Sequence, residues 1–180
     1  RDVLGNQSVT YCSDVLQYCS LASSAGVYTR LACPVSCGCR SVESTQALRS
    51  PDFGCNQGCL NHGDFLDDIR VAPCVEPTIN ETLASHAWME VIAGVELIRD
   101  SWPEGGRRLF QSAADAMRTQ GCKAAHTMME VVNWNLCSYA GGLRPLSLMC
   151  PISCGCTGEG PVGRVGQQNE CPGTCQQQPL

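Results

Sequence analysis

The sequence predicts a small, disulfide-rich and mainly α-helical protein, in which two cysteine-rich helix-plus-loop modules flank a central helical segment with little or no β-structure. Fifteen of the 180 residues are cysteine, which is typical of domains whose hydrophobic core is too small to hold them unaided. The cysteines form two blocks around the cysteine-free residues 75–121, which carry apolar residues at helical spacing. We therefore place module 1 at residues 1–77, a central helical hairpin at 78–121 and module 2 at 122–180.

An internal repeat relates the two cysteine blocks. The heptapeptide CPVSCGC at residues 33–39 recurs as CPISCGC at residues 150–156. One cysteine precedes each heptapeptide at a similar distance, and a C-x₃-C pair follows each of them. This agreement in register indicates duplication of one unit. The six cysteines that recur are Cys19, Cys33, Cys37, Cys39, Cys55 and Cys59 in module 1, and Cys137, Cys150, Cys154, Cys156, Cys171 and Cys175 in module 2.

Disulfide bonds are favoured over metal binding for these cysteines. Zinc sites are built on C-x₂-C pairs, whereas the pairs here are C-x₃-C and C-x-C. We expect three bridges from the six registered cysteines of each module, with a connectivity that the sequence leaves open. Cys12 and Cys122 lead the two modules and complete the predicted framework.

The cysteine count also predicts an odd thiol and a compartment. Fifteen is an odd number, and Cys74 has no counterpart in the repeat, so we predict that Cys74 is the odd thiol. Dense disulfide bonding predicts an extracytoplasmic, oxidising compartment, either secreted or the lumen of an organelle. Two sequons make Asn6 and Asn80 candidate glycosylation sites.

The local sequence predicts the following elements in order. Ser13 and Asp14 are expected to cap a short helix that extends to Cys19. Residues 40–54 are polar and end in the turn signal SPDFG, which predicts irregular structure. Residues 158–180 are rich in Gly, Gln and Pro and are predicted to be mostly coil.

The centre of the chain is predicted to contain three helices. Thr78 and Glu81 form a capping box at the start of a helix that continues to Trp102, because Pro103 follows. A second helix is expected over residues 107–120 with Gly121 at its end. A third, over residues 123–137, leads into module 2.

Two histidine–glutamate pairs are weak candidates for metal ligands. His86 with Glu90, and His126 with Glu130, lie one helical turn apart, and the four could share a metal if their helices pack together. Ordinary pairing at i, i+4 is the interpretation we favour. The chain lacks the G-x-S-x-G, H-E-x-x-H and phosphate-loop motifs, so we predict neither enzymatic activity nor a cofactor.

Charge and hydropathy restrict the classes of partner. The net charge is −5 without a cluster of Lys or Arg, which disfavours nucleic acid. The longest apolar runs are too short for a transmembrane segment. Only 16% of residues are charged, against about 25% in soluble domains, so we expect a larger protein complex to cover part of the surface.

The CP[VI]SCGC tail, preceded by a short cysteine-bearing helix, resembles the ShKT-type cysteine-rich module over residues 12–39 and 122–156. The resemblance implies a small module stabilised by disulfides. The doubled pattern is also similar to cysteine-rich secreted or lumenal proteins of photosynthetic protists. That similarity implies a secreted or organelle-lumen module, and one setting is a peripheral subunit on the thylakoid-lumen side of a membrane-embedded photosystem.

These observations predict a non-catalytic, disulfide-stabilised interaction subunit that docks on a larger assembly. The alternative is a free secreted module that binds a ligand or acts as a toxin. A third hypothesis is an enzyme, either a thiol oxidoreductase or one that uses the His–Glu pairs with a metal.

Overall fold

The computed structural model describes residues 11–101, 103–138, 143–157 and 171–177. All regular structure in these ranges is helical, which confirms the predicted mainly α, disulfide-rich class. The α-helices of this part of the chain are α1 (Ser24–Ala32), α2 (Gln57–Leu60), α3 (Gly63–Val71), α4 (Ile79–Ala84), α5 (His86–Ser101), α6 (Glu104–Gln120) and α7 (Ala124–Val132). Short 3₁₀-helices lie at Cys12–Tyr18, Pro51–Phe53, Gly121–Lys123, Leu146–Leu148 and Gly173–Gln177.

Helices α5 and α6 form the hairpin that contains the main hydrophobic core. The side chain of Trp88 on α5 is fully buried, and its Nε1 donates a hydrogen bond to the carbonyl of Met117 on α6 at 3.1 Å. Ala113 and Ala114 are also fully buried, and their small side chains let the two helices approach closely. The same core extends into module 2 and receives Leu48 from module 1.

The helix predicted from Thr78 to Trp102 is interrupted. The capping box is present as predicted, because the carboxylate of Glu81 accepts the backbone N–H of Thr78 at 2.8 Å. Helix α4 nevertheless ends at Ala84, and Ser85 has an extended backbone. The Ser85 hydroxyl accepts the N–H of Trp88 at 3.4 Å, so Ser85 caps a new helix instead of continuing the old one.

The third predicted helix is shorter than expected. Helix α7 ends at Val132 because Asn133 adopts the left-handed conformation, with a φ of 52°. Asn is one of the few residues other than Gly that enter this region at low cost. The expected helix over residues 123–137 therefore stops one turn before Cys137.

Module 1 contains more regular structure than its sequence indicated. The expected short helix near Cys19 is a 3₁₀-helix, and its cap differs from the prediction because Asp14 accepts the N–H of Tyr11 at 2.9 Å. Helices α1 and α3 were not predicted. In α3, Phe65 and Ile69 are buried one turn apart, which is a helical signal too short to stand out among its acidic neighbours.

Both modules have the same disulfide topology. In each, the first cysteine bonds to the third, the second to the fourth and the fifth to the sixth. The expectation that the registered cysteines bond only among themselves is therefore wrong, since Cys33 and Cys150 pair with the leading cysteines. The six bonds are Cys12–Cys33, Cys19–Cys37, Cys39–Cys55, Cys122–Cys150, Cys137–Cys154 and Cys156–Cys171.

The seventh bond corrects the prediction for the odd thiol. Cys74 is bonded to Cys175, and the free cysteine is Cys59, which we had placed in the disulfide framework. The reason is that the chain at the end of α3 packs against the 3₁₀-helix that contains Cys175, which brings Cys74 next to this last cysteine of module 2. Thr174 Oγ1 donates to the carbonyl of Ala72 at 2.7 Å, and Gly173 packs so tightly that a Cβ would lie 2.4 Å from a backbone oxygen of α3.

The first testable prediction concerns the core. Trp88→Ala should lower the free energy of unfolding by about 3–5 kcal/mol, because it opens a cavity and removes the bond to Met117. Met89→Ala on the same helix is the control, and it should cost less than about 1 kcal/mol because Met89 is 46% exposed. Denaturant unfolding under non-reducing conditions measures both, and equal effects would contradict the packing described.

The second prediction concerns the bond between the modules. The double change Cys74→Ser and Cys175→Ser should lower the free energy of unfolding by about 2–4 kcal/mol, since the cross-link closes a long loop in the unfolded chain. Cys59→Ser breaks no bond and should have the smaller effect in the same assay. The reverse order would show that Cys59, and not Cys74, is the bonded residue.

Candidate functional site

An open groove with a volume of about 930 Å³ lies between module 1 and helix α5. The 3₁₀-helix Cys12–Tyr18 and the module 1 heptapeptide, residues 33–39, form one wall. Helix α5 forms the opposite wall. Residues 41–48, which we call the groove loop, complete the lining. Leu16 and Val35 are 46% and 64% exposed at this surface, so the groove presents aliphatic side chains to the outside.

The charges in the groove are all negative among the residues that line it. Glu43 enters from the groove loop and Glu90 from α5, whereas no Lys, Arg or His of the described ranges lines the surface. Glu90 Oε1 lies 3.7 Å from Nε2 of His86, whose side chain is largely exposed. An aliphatic surface with two carboxylates is complementary to a chain segment that has both aliphatic and basic side chains.

Module 2 holds the groove loop in place through Arg144. The guanidinium of Arg144 is buried and donates to the carbonyls of Ser44 and Val42, the latter at 2.6 Å. Its backbone N–H donates to the carbonyl of Ala47 at 2.7 Å. Buried charge is costly unless it is hydrogen-bonded, and these carbonyls provide the bonds. The groove loop therefore depends on a side chain that lies about 100 residues further along the chain.

The module 1 wall, which faces α5 across the groove, is fixed by Arg30 on α1. This fully buried guanidinium donates to the carbonyls of Cys19, Leu21 and Phe53, with a distance of 2.9 Å to Leu21. Burial lowers the pKa of Arg30 to about 10, so the side chain stays cationic at neutral pH. Gln46 Nε2 also donates to the Cys19 carbonyl, at 2.5 Å, and thereby links this wall to the groove loop.

Helix α5 makes room for the groove loop at Gly94. A Cβ added to Gly94 would lie 2.1 Å from Cβ of Ala47. The absent side chain therefore lets the loop pack directly on the helix. The contact brings Leu48 into the main core, where it is fully buried.

The two histidine–glutamate pairs stay apart. Each pair is formed on its own helix, with Nε2 of His86 3.7 Å from Glu90 and Nδ1 of His126 3.1 Å from Glu130. Within the described ranges, no three His, Cys, Asp or Glu side chains form a group that could hold a metal ion. The structure thus places these residues as ordinary i, i+4 pairs and does not form the four-ligand site considered as an alternative.

Of the two candidate glycosylation sites, Asn80 lies within the described residues. Asn80 is exposed near the start of α4. Asn6 lies outside the described residues.

Sequence reasoning missed the buried arginines Arg30, Arg49 and Arg144. Their signal was present in the composition, because eleven of the twelve basic residues are Arg and only Lys123 is Lys. Arg is the residue suited to several fixed hydrogen bonds inside a protein, whereas Lys favours solvent. The bias alone does not show which arginines are buried.

Comparison with protein-family models, curated proteins and solved structures finds no match. Of the helices described, none is long and apolar enough to cross a membrane. The seven disulfide bonds indicate an oxidising, extracytoplasmic or lumenal setting.

The third prediction tests how the groove loop is held. Arg144→Met should lower the free energy of unfolding by about 1–3 kcal/mol, because it leaves partly buried carbonyls without donors, and should speed amide hydrogen exchange in residues 42–48. Arg70→Met is the matched control, since Arg70 pairs with Asp67 on an exposed face of α3 and should change stability by less than about 1 kcal/mol. Unchanged exchange in the loop of the Arg144 variant would contradict this role.

Proposed function

We propose that this protein is a non-catalytic interaction subunit of an oxidising compartment, and that its groove receives a partner segment with basic and aliphatic side chains. The observation that carries the proposal is the groove itself, which combines exposed aliphatic residues with Glu43 and Glu90 and takes no basic residue from the part of the chain that the structure describes. The partner is expected to be part of a larger protein assembly.

The walls of the groove are held before any partner arrives. Disulfides Cys12–Cys33 and Cys19–Cys37 fix the wall that contains Leu16 and Val35. Hydrogen bonds from the buried Arg144 side chain fix the groove loop. A surface that is already ordered loses little conformational entropy on binding, which favours a docking role.

The charge of the chain supports the same choice of partner. A net charge of −5 attracts a basic surface over long range and speeds encounter at low ionic strength. Within the groove, the two carboxylates would then orient the basic side chain. Affinity should therefore fall as the salt concentration rises.

A membrane-embedded assembly with this chain on its lumenal face is the particular setting we propose. Its support is the resemblance of the doubled CP[VI]SCGC pattern to cysteine-rich secreted or lumenal proteins of photosynthetic protists. A photosystem is the assembly that this resemblance favours, with the thylakoid lumen as the compartment.

The fourth prediction concerns native size. In mild extracts of the source organism, gradient sedimentation with antibody detection should place the protein with a large assembly. Pigment in the same fractions would support the photosystem setting, and its absence would remove that setting. Sedimentation as a free monomer would contradict the docking function and favour a free secreted module.

Charge-reversal variants test whether the partner binds in the groove. The double change Glu43→Lys and Glu90→Lys should weaken binding to the isolated assembly by about tenfold or more, because each change replaces an attraction with a repulsion. The control Asp67→Lys with Asp68→Lys alters the net charge equally on the exposed side of α3 and should retain binding. Equal losses in both variants would assign the effect to overall charge and not to the groove.

A further inference from the structure

Three cysteines of module 1 pack together as one buried cluster. Cys39 and Cys55 are fully buried and bonded to each other, and the free Cys59, which is 5% exposed, packs with them. A free thiol beside a disulfide is the arrangement that thiol–disulfide exchange requires.

Module 2 has the same three positions but lacks the free thiol. Cys156 and Cys171 form the equivalent bond. The equivalent of Cys59 is Cys175, whose sulfur is already bonded to Cys74. The two modules therefore differ in one chemical respect, because a potential nucleophile remains next to this bond in module 1 alone.

We propose that Cys39 exchanges its disulfide partner between Cys55 and Cys59. The deprotonated sulfur of Cys59 attacks Sγ of Cys39, and the Cys39–Cys59 bond forms as the Cys39–Cys55 bond breaks. Cys55 leaves as a thiolate and takes up a proton, which balances the proton that Cys59 lost. One disulfide and one thiol are present before and after the step, so no oxidant or reductant is consumed.

The surroundings favour release of Cys55 over release of Cys39. Cys55 Sγ lies 4.0 Å from the carbonyl oxygen of Leu48, so a freed Cys55 thiol has an acceptor for its proton in a buried site. A Cys39–Cys59 bond also closes nearly the same loop as the present bond, with similar entropy. A Cys55–Cys59 bond would instead leave residues 40–54 open.

The charges around Cys59 make the exchange dependent on pH. Burial raises the pKa of the Cys59 thiol, and Arg40 and Arg49 oppose the effect by favouring the thiolate. Arg40 is in turn paired with His62 and Asp64, and the Arg49 guanidinium lies 4.7 Å from the ring centroid of Phe65. Because the raised pKa keeps the thiol protonated near neutral pH, exchange is slow there and becomes faster as the pH rises.

The exchange would act on the base of the groove loop. Residues 41–48 lie inside the loop that Cys39 and Cys55 close. Moving the bond from Cys55 to Cys59 shifts its anchor from just before α2 into the first turn of that helix. The exchange requires no partner, so its test is independent of the proposed docking function.

The test follows the position of the free thiol in the full oxidised chain. The protein is held without added thiol at about pH 6 or about pH 9, on either side of the ordinary thiol pKa, and then quenched in acid, denatured and labelled with N-ethylmaleimide. Peptide mapping should find label on Cys59 and also on Cys55. Label on Cys55 should appear about tenfold faster for each unit of pH below the thiol pKa, as the thiolate fraction rises.

Module 2 and a variant provide the controls. Cys156 and Cys171 should stay unlabelled at both pH values, and Cys59→Ser should abolish labelling of Cys55. Label confined to Cys59 at both pH values would overturn the proposal, and the wild-type series gives this result even if the variant fails to fold. Label on Cys39, or on Cys156 and Cys171, would overturn it equally, because the first reverses the step and the second shows general scrambling.

Discussion

The disulfides Cys12–Cys33 and Cys19–Cys37 enclose Val15, and these five residues account for most of one buried cluster in module 1. A second cluster consists of three cysteines alone. Apolar burial of this extent is too small to stabilise a domain against its conformational entropy. The disulfide bonds therefore stabilise module 1 as a hydrophobic core stabilises a larger domain. The same bonds keep the groove wall rigid.

In the rest of the molecule, a hydrophobic core supplies much of the stability. The groove lies between this part and the disulfide-stabilised module 1. The α5–α6 hairpin and module 2 share one hydrophobic core. Module 1 contributes Leu48 to this core. The hydrogen bonds of Arg144 and the Cys74–Cys175 bond join module 1 to module 2. The groove loop is thus part of module 1 in sequence, but its position depends on residues of module 2.

Features that depend only on residues close together in the sequence could be predicted from the sequence. The capping box at Thr78 and the end of α6 at Gly121 follow from local hydrogen bonding and backbone conformation. The break at Ser85 was missed because a serine inside an apolar periodic run can either continue a helix or cap a new one. The partner of Cys74 was missed for a different reason: it lies 101 residues away, and repeat register relates equivalent positions without showing which sulfurs meet. The groove could not be predicted from the sequence, because Glu43 and Glu90 line the same surface only through tertiary packing.

The disulfide map of the native protein tests the central claim most directly. Digestion under acidic, non-reducing conditions, which suppress exchange, followed by mass spectrometry should give the same first-to-third, second-to-fourth and fifth-to-sixth pairing in both modules. It should also give a Cys74–Cys175 peptide and a free Cys59. A free Cys74, or different pairing of the first four cysteines in the two modules, would contradict the duplicated framework on which the groove and its proposed function depend.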